Sequence, residues 1–160
     1  MALRSARNNG ALVPKEAIDA AVAYVLRCHT GDGGFSYEAA AGGPGLARTG
    51  TGLLCLELTG HHGEKITTDA GKWILAHLPR NYGAEHFYYG LYYCSQAMFQ
   101  LGDDYWTAWG RFMYDMMLQH QHPDGSWPDS PDAGAGPCYS TAMSVLAMSV
   151  TFRQLPIYQR

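Results

Sequence analysis

The side chains with the most chemical potential fall in two loops of similar spelling. Residues 119–128 read QHQHPDGSWP and bring His120, Gln121, His122 and Asp124 together. Residues 28–37 read CHTGDGGFSY and set Cys28, His29 and Asp32 beside two glycines. Imidazole and carboxylate in such proximity suit a metal ion or proton transfer. Asp124, Asp129 and Asp132 crowd one loop and offer the oxygen ligands that calcium takes. Their spacing does not fit an EF-hand, and Asp is common in turns because its carboxylate bonds nearby backbone N–H groups. His120 and His122 flank a helix end, where the dipole favours a cation. His61-His62 lies between Gly60 and Gly63 without an H-x-x-x-H or H-E-x-x-H pattern, and reads as an exposed turn pair. Asp103-Asp104 is the only adjacent acidic pair and reads as a helix cap. Cys28, Cys55, Cys94 and Cys138 form no CxxC and read as buried reduced thiols. Neither a metal nor a cofactor is expected.

A second constellation lies on one helical face. His86, Tyr89, Tyr93, Gln96 and Gln100 recur at steps of three and four, with Phe87, Leu91, Cys94 and Met98 on the opposite side. Facing a cavity, such tyrosines could stabilise a carbocation or hold an apolar chain or a sugar. The competing reading is amphipathic packing with wet hydroxyls. Arg48 and Tyr139, near the starts of two other helices, are candidates for the same cavity mouth.

The elements that must position these groups are helices. Ile18, Val22 and Val25 mark a helix over 14–28, with Pro14 suited to its first turn. Further helices are predicted over 46–59, 67–78, 84–101, 103–121 and 138–155, the last stopped near Pro156. Glycine- and proline-rich stretches at 29–45 and 122–137 are loops, and no strand-like alternation competes. The chain of 160 residues suits one domain. Its charged fraction, 16%, is well below the usual ~25%, which suits a chain that buries much of itself or docks against something. A net charge of −3 without a Lys/Arg cluster argues against a nucleic-acid partner. No apolar run reaches the ~18–20 residues needed to span a bilayer, and residues 1–14 lack the apolar core of a secretory signal.

The helices fall into three hairpins, about 14–60, 66–102 and 103–152. Tyr24 and Trp73 occupy matching places 49 residues apart, and Met116 follows Trp73 by 43. Gly33-x-Phe35 and Gly125-x-Trp127 are 92 apart, and Thr51-Gly52 and Thr141-Ala142 are 90 apart. A period near 46 residues marks helical hairpins that stack because none can bury its apolar face alone.

Gln121-His122-Pro123-Asp124-Gly125-Ser126-Trp127 resembles the QW repeat of squalene–hopene cyclases. More broadly it resembles the prenyltransferase/squalene-oxidase repeat of terpenoid cyclases and protein prenyltransferases. The resemblance spans roughly residues 14–152. It weakens in the first hairpin, where His29 and Phe35 replace Gln and Trp, and erodes in the middle one beyond Trp73-Ile74. It implies an all-α fold, an α/α toroid of outer and inner helices, of which three hairpins are about half. Gln121, Asp124, Gly125 and Trp127, and Gly33 and Phe35, would then form structural turns, with the Gln amide bonded at a neighbouring helix end and the Trp stacked over it.

The resemblance further implies a terminal portion of a longer chain, two copies closing a ring, or a short open arc. The family's signatures are missing: no D-x-D-D for alkene protonation, no D-x-C for zinc, no C-G-E-Q thioester. The expected function is therefore a binding or scaffold module for an apolar or isoprenoid ligand, a glycan or a protein. The alternatives are an isoprenoid cyclase or transferase with its catalytic residues elsewhere and, more weakly, a polysaccharide-active enzyme.

Overall fold

The computed structural model describes residues 1–39, 41–83, 86–129 and 136–153; Asp132 and Pro156 lie outside them. Among the described residues the chain is all-α. Its helices are α1 (Ala2–Asn8), α2 (Lys15–Arg27), α3 (Leu46–Leu58), α4 (Lys65–Ala76), α5 (Phe87–Leu101), α6 (Asp103–His120) and α7 (Gly136–Met148), followed by a 3-10 turn at Val150–Phe152. None is long and apolar enough to cross a membrane.

Helix α5 is central. It packs against α3 on one flank and α7 on the other, and against α4 and α6 behind. This explains its composition: twelve of its residues are buried, from Phe87 to Leu101, so an apolar surface nearly all round is required. Helices α3, α5 and α7 thus follow one another in one layer. Helix α2 packs on α3, α4 packs on α3 more than on α5, and α6 packs on α5 more than on α7. The two layers share one core, containing Leu53, Leu54, Ile74, Leu91, Met98, Trp109 and Met113. Helix α3 approaches α5 closely at Gly50, where a Cβ would lie 2.8 Å from the backbone nitrogen of Cys94.

Several expectations are corrected. Helix α1 was not legible: ALRSARN has no apolar period, and a helix this short is marginal alone. Its Met1 and Leu3 border a small cavity with Ile18 and Val22 of α2. Gly102, not Asp103 or Asp104, occupies the cap position of α6, and no side chain caps it. Both Asp residues lie in the first turn, where the dipole favours negative charge. Cys28 and Cys94 are buried and Cys55 half-buried, but Cys138 is exposed. His62 is not merely a turn residue: its Nδ1 lies 2.6 Å from the carboxylate of Glu57, whose side chain is fully buried.

Candidate functional site

The two loops that open the chemical reading are built alike. In the third hairpin the N–H of His122 bonds the Ser126 carbonyl at 2.8 Å, and the N–H of Gly125 bonds the His122 carbonyl at 2.9 Å. In the first, Thr30 bonds Gly34 at 2.9 Å and Gly33 bonds Thr30 at 3.0 Å. The carboxylate of Asp124 accepts the Ser126 N–H, and that of Asp32 accepts the Gly34 N–H. Gly125 and Gly33 have φ of 88° and 98°, a conformation that costs any other residue. The N–H of Trp127 donates to the Thr141 hydroxyl at 3.1 Å, and that of Phe35 to the Thr49 hydroxyl at 3.0 Å. Each correspondence spans 92 residues. Thr49, not Thr51, is therefore the counterpart of Thr141, and the repeat keeps one register from turn to helix.

The Asp carboxylates and the Gln121 amide brace the turns, and the Trp127 indole ties one of them to a helix end. The Trp127 indole N–H bonds the Met117 carbonyl at 2.8 Å, one of the last-turn acceptors that α6 leaves without an intrahelical donor. The Gln121 amide donates to the Gly125 carbonyl within its own turn at 2.9 Å, so the Trp rather than the Gln reaches the helix end. His29 stands in the place of Gln121 and sets its ring edge-on to Phe35. The imidazoles of His77 and His120 each bond the carbonyl four residues back, Trp73 and Met116 respectively. In the middle hairpin Tyr82 stacks on His120 at 4.0 Å, and its hydroxyl continues through Tyr88 to the Pro128 carbonyl. Burial pushes both tyrosine pKa values up, so both remain hydrogen-bond donors. Among the described residues no three His, Cys, Asp or Glu side chains gather as metal ligands.

Asp32 makes the first joint acid-sensitive. Hydrogen bonds from Thr30, Trp73 and Gly34 hold its carboxyl below the usual range. The unfolded chain therefore binds more protons than the folded one near the carboxylate pKa of about 3.9. The stabilisation is present above that pH and is lost as pH falls through the lower folded value. Urea unfolding between pH 6 and pH 2.5 is expected to show Asp32→Asn with a shallower acid decline than the parent chain.

A large open space lies elsewhere, across the starts of α3 and α5. It is a cleft of about 740 Å³ bordered by Tyr37, Leu46, Arg48, His77, His86 and Tyr89, with Pro79 and Phe87 completing its floor and wall. The first-turn N–H groups of two helices face this end of the layer, where backbone donors lack intrahelical partners and the dipoles are positive. Arg48 is exposed, and its guanidinium donates to the Gly43 carbonyl at 3.2 Å. His86 has φ of 55° and forms the left-handed cap from which α5 starts.

The structure divides the other face residues. Arg48, His86 and Tyr89 border the cleft. Tyr93 packs its ring 4.5 Å from that of Tyr89 and is half-buried. Burial first, then Tyr89, raises its pKa, and the same two causes act on Tyr139. Gln96 and Gln100 are each only 5% exposed, so the far half of the face is packed interior rather than cavity wall. Tyr37, His77 and Pro79 were missed. Tyr37 follows the first turn and His77 and Pro79 end α4, so only the folded hairpins bring them together. Among the described residues no carboxylate lines the cleft, and Arg48 and aromatic side chains do.

No family model, no curated protein and no solved structure matches the chain.

Proposed function

We propose that this chain is a binding module of the squalene-cyclase/prenyltransferase repeat type, three hairpins of an α/α toroid, that receives an elongated apolar ligand with an anionic end. The observation that carries this reading is the cleft itself. Leu46, Phe87, Tyr37 and Tyr89 supply apolar and aromatic wall, while Arg48 and two helix starts supply positive potential at one end. The turns are supporting joints, since their carboxylates bond the turn backbone and the Trp127 indole bonds the end of α6. None of the described residues that line the cleft is a carboxylic acid, which favours binding over cyclisation.

The test uses farnesyl diphosphate and farnesol as probes in isothermal titration. Replacing Arg48 removes a charge without removing a core contact. Arg48→Ala is expected to weaken farnesyl diphosphate binding about tenfold, the ~1.4 kcal/mol scale of one lost charged contact, and to leave farnesol binding within about twofold. Equal affinity of parent and variant for the diphosphate would overturn the reading.

A further inference from the structure

The two equivalent turns differ in what covers them. The first turn is packed on the next hairpin. A Cβ on Gly33 would lie 3.0 Å from the Asp69 carbonyl oxygen of α4, and one on Gly34 would lie 3.0 Å from the Trp73 ring. The second carboxylate oxygen of Asp32 accepts the Trp73 indole N–H at 3.1 Å. Gly33 and Gly34 are buried as a result. The third turn has the same backbone and, among the described residues, no such cover. A Cβ on Gly125 would meet only the Gln121 amide, at 4.0 Å, and Gly125 is exposed. Asp124 bonds through Oδ1 alone.

The bare surface continues along α7. Counting 92 residues, Ala142 matches Gly50, which packs on Cys94, and Val145 and Leu146 match Leu53 and Leu54. Leu53 and Leu54 are fully buried, whereas Val145 is 49% and Leu146 36% exposed and Ala142 is exposed. This edge therefore carries the small residue, the aliphatic pair and the carboxylate with which the first hairpin holds the second.

The complementary half is at the other end of the same chain. Helix α2 is a first helix like α4, yet it has no buried residue. The places of Asp69 and Trp73 are taken on it by Ala20 and Tyr24, 49 residues earlier, and both are exposed. Tyr24 offers a hydroxyl where Trp73 offers an indole N–H, and the Arg27 guanidinium lies over its ring, 5.5 Å from the centroid, bringing positive charge toward the acidic turn.

We infer that a second copy of this chain docks head to tail, the Ala20–Tyr24 face of its α2 seated on the 121–127 turn and its α3 against the outer face of α7. The interface repeats the one between the first and second hairpins. Because head and tail are different surfaces, the association is heterologous.

Sedimentation velocity over a concentration series tests this with two exposed-site variants, Tyr24→Glu at the head and Ala142→Glu at the tail. The parent chain is expected to rise from monomer to dimer or larger. Each variant alone remains monomeric, since every contact needs one intact head and one intact tail. Their equimolar mixture regains dimer, because the intact tail of one meets the intact head of the other. Circular dichroism confirms that helix content is kept, and Lys replaces Glu at either site if it is not. A parent chain monomeric at every concentration, a variant that still self-associates, or a mixture that stays monomeric would each overturn the inference.

Discussion

Trp127→Ala is expected to lower stability by about 3–5 kcal/mol, the range for truncating a large buried aromatic. Trp127 is only 2% exposed and belongs to the shared core. Removing the indole leaves a cavity and also strips the Met117 carbonyl of its donor, and an unpaired buried acceptor is costly. The effect is one of assembly, because the ring holds the end of α6 to the turn that leads into α7. Urea unfolding reads the loss directly. Molecules that remain folded should bind in the cleft as before, since Trp127 does not border it. A loss below about 1 kcal/mol would contradict burial of the ring, and selective loss of binding at unchanged stability would contradict the role as a joint.

Gly50→Val is expected to cost about 3 kcal/mol, the upper part of the range for overpacking. A Cβ there would stand 2.7 Å from the Cys94 sulfur, 2.8 Å from its backbone nitrogen and 3.1 Å from its Cα. The sulfur could rotate away, but the backbone of α5 cannot yield without moving the whole helix. Because α3 and α5 start at the cleft, forcing them apart should also weaken binding there. Gly43→Ala is the control: its added methyl meets open space and its φ is not positive, so stability should hold within about 0.5 kcal/mol. Equal stabilities for the two variants would show that the close approach of α3 to α5 is absent.

The helical elements were readable because apolar residues repeat at three and four, and because Gly60 and Gly102 follow helix ends. The geometry of the two turns was readable because it rests on residue types, a glycine at positive φ and an Asp that folds back on the turn. The Thr pairing was misread by two residues, since Thr51-Gly52 and Thr141-Ala142 look alike in spelling while the hydrogen bonds count from the aromatic. The cleft was half legible. Periodicity pointed to Tyr89 and His86, but the same periodicity included Gln96 and Gln100, and only tertiary cover shows that these are buried. Tyr37 and His77 carry no local signal of convergence. The Glu57–His62 pair was equally silent, because an apolar stretch such as LLCLEL gives no sign that its carboxylate will be buried beside a turn imidazole.

Amide-resolved NMR titration with farnesyl diphosphate separates the cleft from the joints most directly. Binding in the cleft should shift the amides of Tyr37, Leu46, Ala47, Arg48 and Phe87 to Tyr89, and leave Gln121 to Trp127 in place. Shifts centred on the 121–127 turn, or none at saturating probe, would contradict the assignment of the cleft as the site and of the turn as its scaffold.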